Sequence, residues 1–129
     1  MKIISLICLV FLSLSFFRQT QPDSNTSTCE TYQKTYQEMN QVYQRILHDY
    51  REDTAFIRNI KAAQLQWIKL RDADIRAIFT SEAISGPEIS KCQCSISETM
   101  TKDRIKFLKY WSEGLPKGSL CRGSRKIRE

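Results

Sequence analysis

One stretch of the chain carries polar and aromatic side chains at spacings of three and four residues: Gln64, Trp67, Arg71 and Asp74. On a helix this spacing places all four on one face, with an indole between an amide and a guanidinium. Such a face could be a binding or active site, or a buried polar network. Buried polar groups are normally hydrogen-bonded, and this helix is predicted to be central, so we expect a network that Asn40 joins from the preceding helix.

No catalytic groups stand at suitable spacing in this sequence. Asp72 and Asp74 are two residues apart, so on a helix they point in different directions and form no acid–base pair; Asp74 is instead expected to pair with Arg71. The sequence contains no nucleophile elbow, no glycine-rich phosphate loop and no H-E-x-x-H zinc motif. His48 is the only histidine. We therefore predict that the protein is not an enzyme and binds no cofactor or metal.

The amino terminus predicts export. Lys2 precedes an apolar run over residues 3–17, which is too short to span a bilayer and is typical of a signal peptide. We expect a signal peptide over residues 1–20, a flexible lead-in over 21–28, a periplasmic or secreted location and no stable membrane anchor. The net charge of +6 is most simply explained by solubility. It could also suit an anionic partner, but export disfavours nucleic acid.

Four cysteines follow the signal peptide: Cys29, Cys92, Cys94 and Cys121. An even count in a short exported domain predicts two structural disulfides, and the C-x-C pair lacks the spacing of a zinc site. One of Cys92 and Cys94 is expected to bond to Cys29. The other is expected to bond to Cys121, which requires the tail to fold back along the third helix.

Helical spacing of apolar residues predicts three helices in a chain of 129 residues. The first covers about 28–50, the second about 54–83 and the third, after a capping box of Ser95 and Glu98, ends near 113. The second helix is the most apolar, so we expect it to be the central helix, with the first and third helices packed against two of its sides. The predicted fold is an all-α, up-down-up three-helix bundle with a long central helix, covering 29–121, followed by a basic tail over 122–129.

Three motifs of this chain resemble the LprI-type lysozyme-inhibitor domain family, whose members are small exported helical bacterial domains. The first is Cys29 with the run M-N-Q-V-Y at 39–43. The second is the run A-Q-L-Q-W-I-K-L-R-D-A at 63–73, and the third is Cys94 followed by T-K-D-R at 101–104 and by Leu108. The motif residues are Asn40, Tyr43, Gln64, Trp67, Arg71, Asp72, Thr101 and Arg104. The family commonly has a cysteine where this chain has Ile75, and Cys121 is the expected replacement.

The resemblance implies a protein partner rather than a substrate. We expect an inhibitor-like protein of the bacterial envelope that binds a lysozyme-like muramidase or another cell-wall-targeting protein. The alternative is an envelope binding or immunity-type module, directed at a toxin and without lysozyme inhibition. The candidate contact segments are the loop over 84–91 and the basic tail.

Overall fold

The computed structural model describes residues 24–80 and 86–129, and most of them form three helices. These are α1 (Ser24–Asp49), α2 (Thr54–Ile78) and α3 (Pro87–Ser112). No strand occurs in these two ranges, where the only β-type pairing is one isolated bridge. The prediction of an all-α fold with three helices is therefore confirmed. The signal peptide predicted over residues 1–20 lies outside the described residues.

The helix ends depart from the sequence prediction at several positions. Helix α2 begins as expected, because the Asp53 carboxylate accepts a hydrogen bond of 2.9 Å from the Phe56 amide. Helix α1 begins at Ser24, inside the predicted lead-in, and α2 ends at Ile78 instead of near residue 83. The predicted capping box is wrong: α3 begins at Pro87, so Ser95 lies well inside the helix. Proline suits a first turn because the amide hydrogen it lacks would have no helical partner there.

The core lies mainly between α1 and α3, which pack against each other more extensively than either packs on α2. Its buried apolar residues are Met39, Val42, Ile46, Phe56, Ile60, Ile105 and Leu108. Helix α2 contacts both other helices, through Met39 of α1 and Arg104 of α3, but the prediction that it is the central helix is wrong. Leu65, Leu70 and Ile78 of α2 are each more than half exposed, so part of the apolar surface of this helix faces solvent.

Both ends of the α1–α3 pair are joined. A disulfide connects Cys29 with Cys94 near the beginnings of the two helices, where their Cα atoms are 5.1 Å apart. Near the other end, the Tyr50 hydroxyl donates a hydrogen bond of 3.0 Å to the Ser124 carbonyl and lies 3.5 Å from the Trp111 carbonyl. The two helices are thus held as one unit over their length.

The second predicted disulfide is absent, because Cys92 and Cys121 are both free and exposed. Cys92 lies within α3, and two residues on a helix differ by about 200° in direction, so it cannot face α1 together with Cys94. Cys121 lies close in sequence to Ser124, which contacts the opposite end of the bundle. The tail therefore stays at the end of the bundle that is opposite the disulfide, and the prediction that it folds back along α3 is wrong.

The tail packs instead against the carboxyl-terminal end of α3. Leu115 and Ile127 form the parallel bridge: the Leu115 amide donates to the Lys126 carbonyl at 2.7 Å, and the Arg128 amide donates to the Leu115 carbonyl at 2.8 Å. The Trp111 indole also donates to the Ser124 hydroxyl at 3.0 Å. These bonds fix the last residues of the chain onto the bundle.

Gly114, where the chain leaves α3, should not tolerate alanine. Its φ is +88°, and a Cβ there would lie 3.1 Å from both the Arg128 nitrogen and the Lys126 oxygen. Gly118 has a similar φ of +86° but open space around it, so its alanine variant is the matched control. Gly118→Ala should lower the free energy of unfolding by about 1–2 kcal/mol through the positive φ alone.

Gly114→Ala should cost at least about 1 kcal/mol more than Gly118→Ala, because the paired backbone must move to admit the methyl group. Urea unfolding followed by circular dichroism measures both variants. Equal losses would mean that the tail does not approach Gly114 this closely.

Candidate functional site

The indole of Trp67 lies close to two guanidinium groups, one from its own helix and one from α3. The Arg71 guanidinium carbon is 5.3 Å from the Trp67 ring centroid, and that of Arg104 is 5.6 Å away. Both distances are within the range of cation–π attraction. The indole surface therefore helps to hold two like charges beside the bundle core.

Arg71 is held by aromatic rings and by its neighbour in sequence. Its guanidinium lies 5.5 Å from the Tyr36 ring centroid of α1, and its Nε and Nη2 donate hydrogen bonds of 2.9 and 2.7 Å to one Asp72 carboxylate oxygen. The residue is only 7% exposed, and its Nη1 is buried without a hydrogen-bond partner. Asp72 neutralises the charge, yet the guanidinium is not fully hydrogen-bonded.

Arg104 is held by an amide rather than by a carboxylate. Its Nε donates a hydrogen bond of 2.9 Å to Oε1 of Gln64, whose own Nε2 lies 3.5 Å from the sulfur of Met39. Its guanidinium also lies 5.4 Å from the Phe107 ring centroid. Burial lowers the pKa of Arg104, and the nearby Tyr43 opposes that shift. Gln64 thus links all three helices through its two side-chain atoms.

The structure brings together Gln64, Trp67, Arg71 and Arg104 and separates other predicted members. Asn40 is exposed, so the prediction that its amide joins a buried network is wrong: on a helix it lies about 100° away from the buried Met39. The predicted ion pair between Asp74 and Arg71 is also wrong, because Arg71 pairs with Asp72.

The remaining motif residues, Tyr43 and Thr101, serve the packing of the bundle. The Thr101 side chain is fully buried, and its hydroxyl donates a hydrogen bond of 2.7 Å to the Ser97 carbonyl one turn earlier. Tyr43 packs partly buried against the core, and this burial raises the pKa of its hydroxyl.

A groove of about 320 Å³ opens between α2 and α3 beside Arg104. It is lined by Phe56, Asn59, Ile60, Ala63, Arg104, Phe107, Trp111 and Ser124. Sequence reasoning missed this groove, because Ser124 reaches it only through the fold of the tail. Only the helical spacing of Asn59, Ala63 and the apolar residues beside them could have indicated a shared face.

Nothing in the described part of the chain is arranged for metal binding, as no three His, Cys, Asp or Glu side chains converge there. None of the helices described is both long and apolar enough to cross a membrane. The fold and the site define a small helical domain, cross-linked by a disulfide, whose most polar buried groups support its packing.

The sequence model of the family described as Lysozyme inhibitor LprI matches residues 17–108 of this chain. The match covers most of the protein and includes the Trp67 region and both bonded cysteines, so the chain belongs to the LprI lysozyme-inhibitor family. Comparison with curated proteins and with solved structures gives no match.

Proposed function

We propose that this protein is exported and inhibits a lysozyme-like muramidase, or another protein that targets the cell wall, by binding it. Membership of an inhibitor family carries this proposal. The predicted signal peptide over residues 1–20 supports export, and the Cys29–Cys94 disulfide suits an oxidising compartment. We also infer the up-down-up order of the helices. Tyr36 of α1 lies by Arg71 in the second half of α2, whereas Tyr50, just after α1, lies by Phe56 at the beginning of α2.

The tail loop over residues 116–123 is the segment best suited to contact the target. Leu120 in this loop is 96% exposed, although an apolar side chain gains nothing from contact with water. The loop is anchored on both sides, by the bridge of Leu115 with Ile127 and by the bonds of Ser124 to Tyr50 and Trp111. A protruding apolar residue on an anchored loop loses little conformational entropy on binding.

The other segment considered from the sequence, residues 84–91, is a weaker candidate. Residues 87–91 belong to α3 instead of a loop, and residues 84 and 85 lie outside the described part. The tail loop is therefore our proposed contact.

The test titrates the oxidised protein against purified muramidases of several structural classes acting on cell-wall substrate. We expect at least one enzyme to be inhibited at or below micromolar concentration. Leu120→Asp should weaken that inhibition at least about tenfold, since an interface anchor contributes more than about 1.4 kcal/mol. Leu65→Asp is the matched control, because Leu65 is exposed on α2 and far from the loop in sequence.

Two outcomes would count against the proposal. If no muramidase of any class is inhibited, muramidase inhibition itself is contradicted and the immunity-type alternative is favoured. Equal inhibition by Leu120→Asp and the unaltered protein would contradict only the assignment of the tail loop.

A further inference from the structure

Arg104 carries a positive charge that no carboxylate neutralises in the described part of the chain. Arg71, the other arginine close to Trp67, has its ion pair with Asp72 at 2.7 Å. The only side-chain hydrogen bond of Arg104 there goes to the neutral amide of Gln64, and its Nη2 is buried without a hydrogen-bond partner. A ligand in the groove cannot reach this buried nitrogen, but Arg104 lines the groove and its charge has no counter-charge there. A guanidinium in this position is suited to receive an anion.

The groove beside Arg104 is mostly aromatic and aliphatic. Phe56, Phe107 and Trp111 contribute rings to its lining, while Asn59 and Ser124 contribute the neutral polar groups. Its volume of about 320 Å³ is at the lower end of the range of roughly 300–1,000 Å³ found for small-ligand sites. An apolar groove with one cationic group suits a ligand that has a small apolar body and one negative charge.

We propose that this groove binds a small amphipathic carboxylate, whose charged group pairs with the Arg104 guanidinium while its apolar body packs on Phe107 and Trp111. Nε is already bonded to Gln64 and Nη2 is buried, so the carboxylate would pair with the remaining nitrogen, Nη1, through a charge-assisted hydrogen bond. A phosphate monoester is less suitable, because it carries close to two charges at neutral pH and Arg104 is the only charged residue that lines the groove. This site goes beyond the proposed inhibition, since it requires no muramidase.

The experiment titrates 3-phenylpropanoate into the oxidised protein at pH 7 and follows the indole N–H signals of Trp67 and Trp111 by NMR. The neutral isostere 3-phenylpropan-1-ol is the ligand control. We expect saturable shifts of the Trp111 signal with the carboxylate and binding of the alcohol at least about tenfold weaker, because a hydrogen bond to a charged group is lost.

Two variants and one control locate the site. Arg104→Gln should abolish the preference for the carboxylate over the alcohol. Ala63→Phe should block both ligands, because Ala63 is an exposed part of the groove lining and a ring there fills the space. Arg76→Gln, which alters an exposed arginine of α2 outside the groove, should leave binding unchanged.

The proposal is overturned if the carboxylate gives no saturable shift, if the alcohol binds equally well, or if binding survives Ala63→Phe. Ala63→Phe leaves the guanidinium and its bond to Gln64 in place, so it decides the question even if Arg104→Gln fails to fold. None of these measurements involves lysozyme, and failure here would leave the proposed inhibition to be judged separately.

Discussion

Cys29→Ser should lower the free energy of unfolding by about 4 kcal/mol. The Cys29–Cys94 disulfide joins residues 65 apart in sequence, and the chain-entropy model gives a closure of that length about this value. Because the bond joins the two helices that form most of the core, we expect no compensating rearrangement. Urea unfolding of the oxidised proteins, followed by circular dichroism, measures the difference.

Cys92→Ser and Cys121→Ser are the matched controls for this prediction. Both thiols are free and exposed, so each variant should stay within about 0.5 kcal/mol of the unaltered protein, as is usual for surface substitutions. A loss of about 4 kcal/mol in Cys92→Ser would show that Cys29 is bonded to Cys92 instead.

Arg71→Ala should lower the free energy of unfolding by about 2–3 kcal/mol. The side chain contacts the faces of Tyr36 and Trp67, and each cation–π contact contributes about 0.5–2 kcal/mol. Its aliphatic stem also covers apolar surface that alanine would leave open. Denaturant unfolding measures the loss, with Lys69→Ala on an exposed position of the same helix as control.

Arg71→Met separates the charge from the stem. Methionine keeps an apolar stem of similar length and removes Nη1, which is buried without a hydrogen-bond partner. Asp72 remains, but its side chain is 47% exposed and therefore solvated, and methionine can contact the two rings through its sulfur. We expect a loss of about 1 kcal/mol from the missing cation–π attraction, smaller than that of Arg71→Ala. A loss as large as that of Arg71→Ala would show that the guanidinium charge itself holds the site.

The part of the site that follows helical spacing could be predicted from the sequence. Gln64, Trp67 and Arg71 share one helix, so their common face depends only on the helical repeat. The prediction that Asn40 is buried failed because the residue next to a buried one on a helix, here Met39, can already point to solvent. Arg104 was included only because of the resemblance to the family, since no local pattern connects it with Gln64, which lies 40 residues earlier in the sequence.

The parts that depend on packing between distant segments could not be predicted. The apolar content of α2 suggested a central helix, but composition does not tell which helices share the closest interface. The groove requires Ser124 to lie beside Phe107 and Trp111, and this placement depends on a backbone bridge at residues 115 and 127. Long-range pairing of this kind has no signature in residue spacing.

The position of Cys94 within a helix also bears on how the protein reaches its oxidised state. Cys92 and Cys94 stand almost equally far along the chain from Cys29, so loop-closure entropy hardly distinguishes them in the unfolded chain. Only a formed α3 turns Cys94 toward α1 and Cys92 away from it. Thiol oxidation before that helix forms therefore yields both cross-links, whereas oxidation after it forms selects one. The order of these two events thus decides the yield of correctly bonded protein.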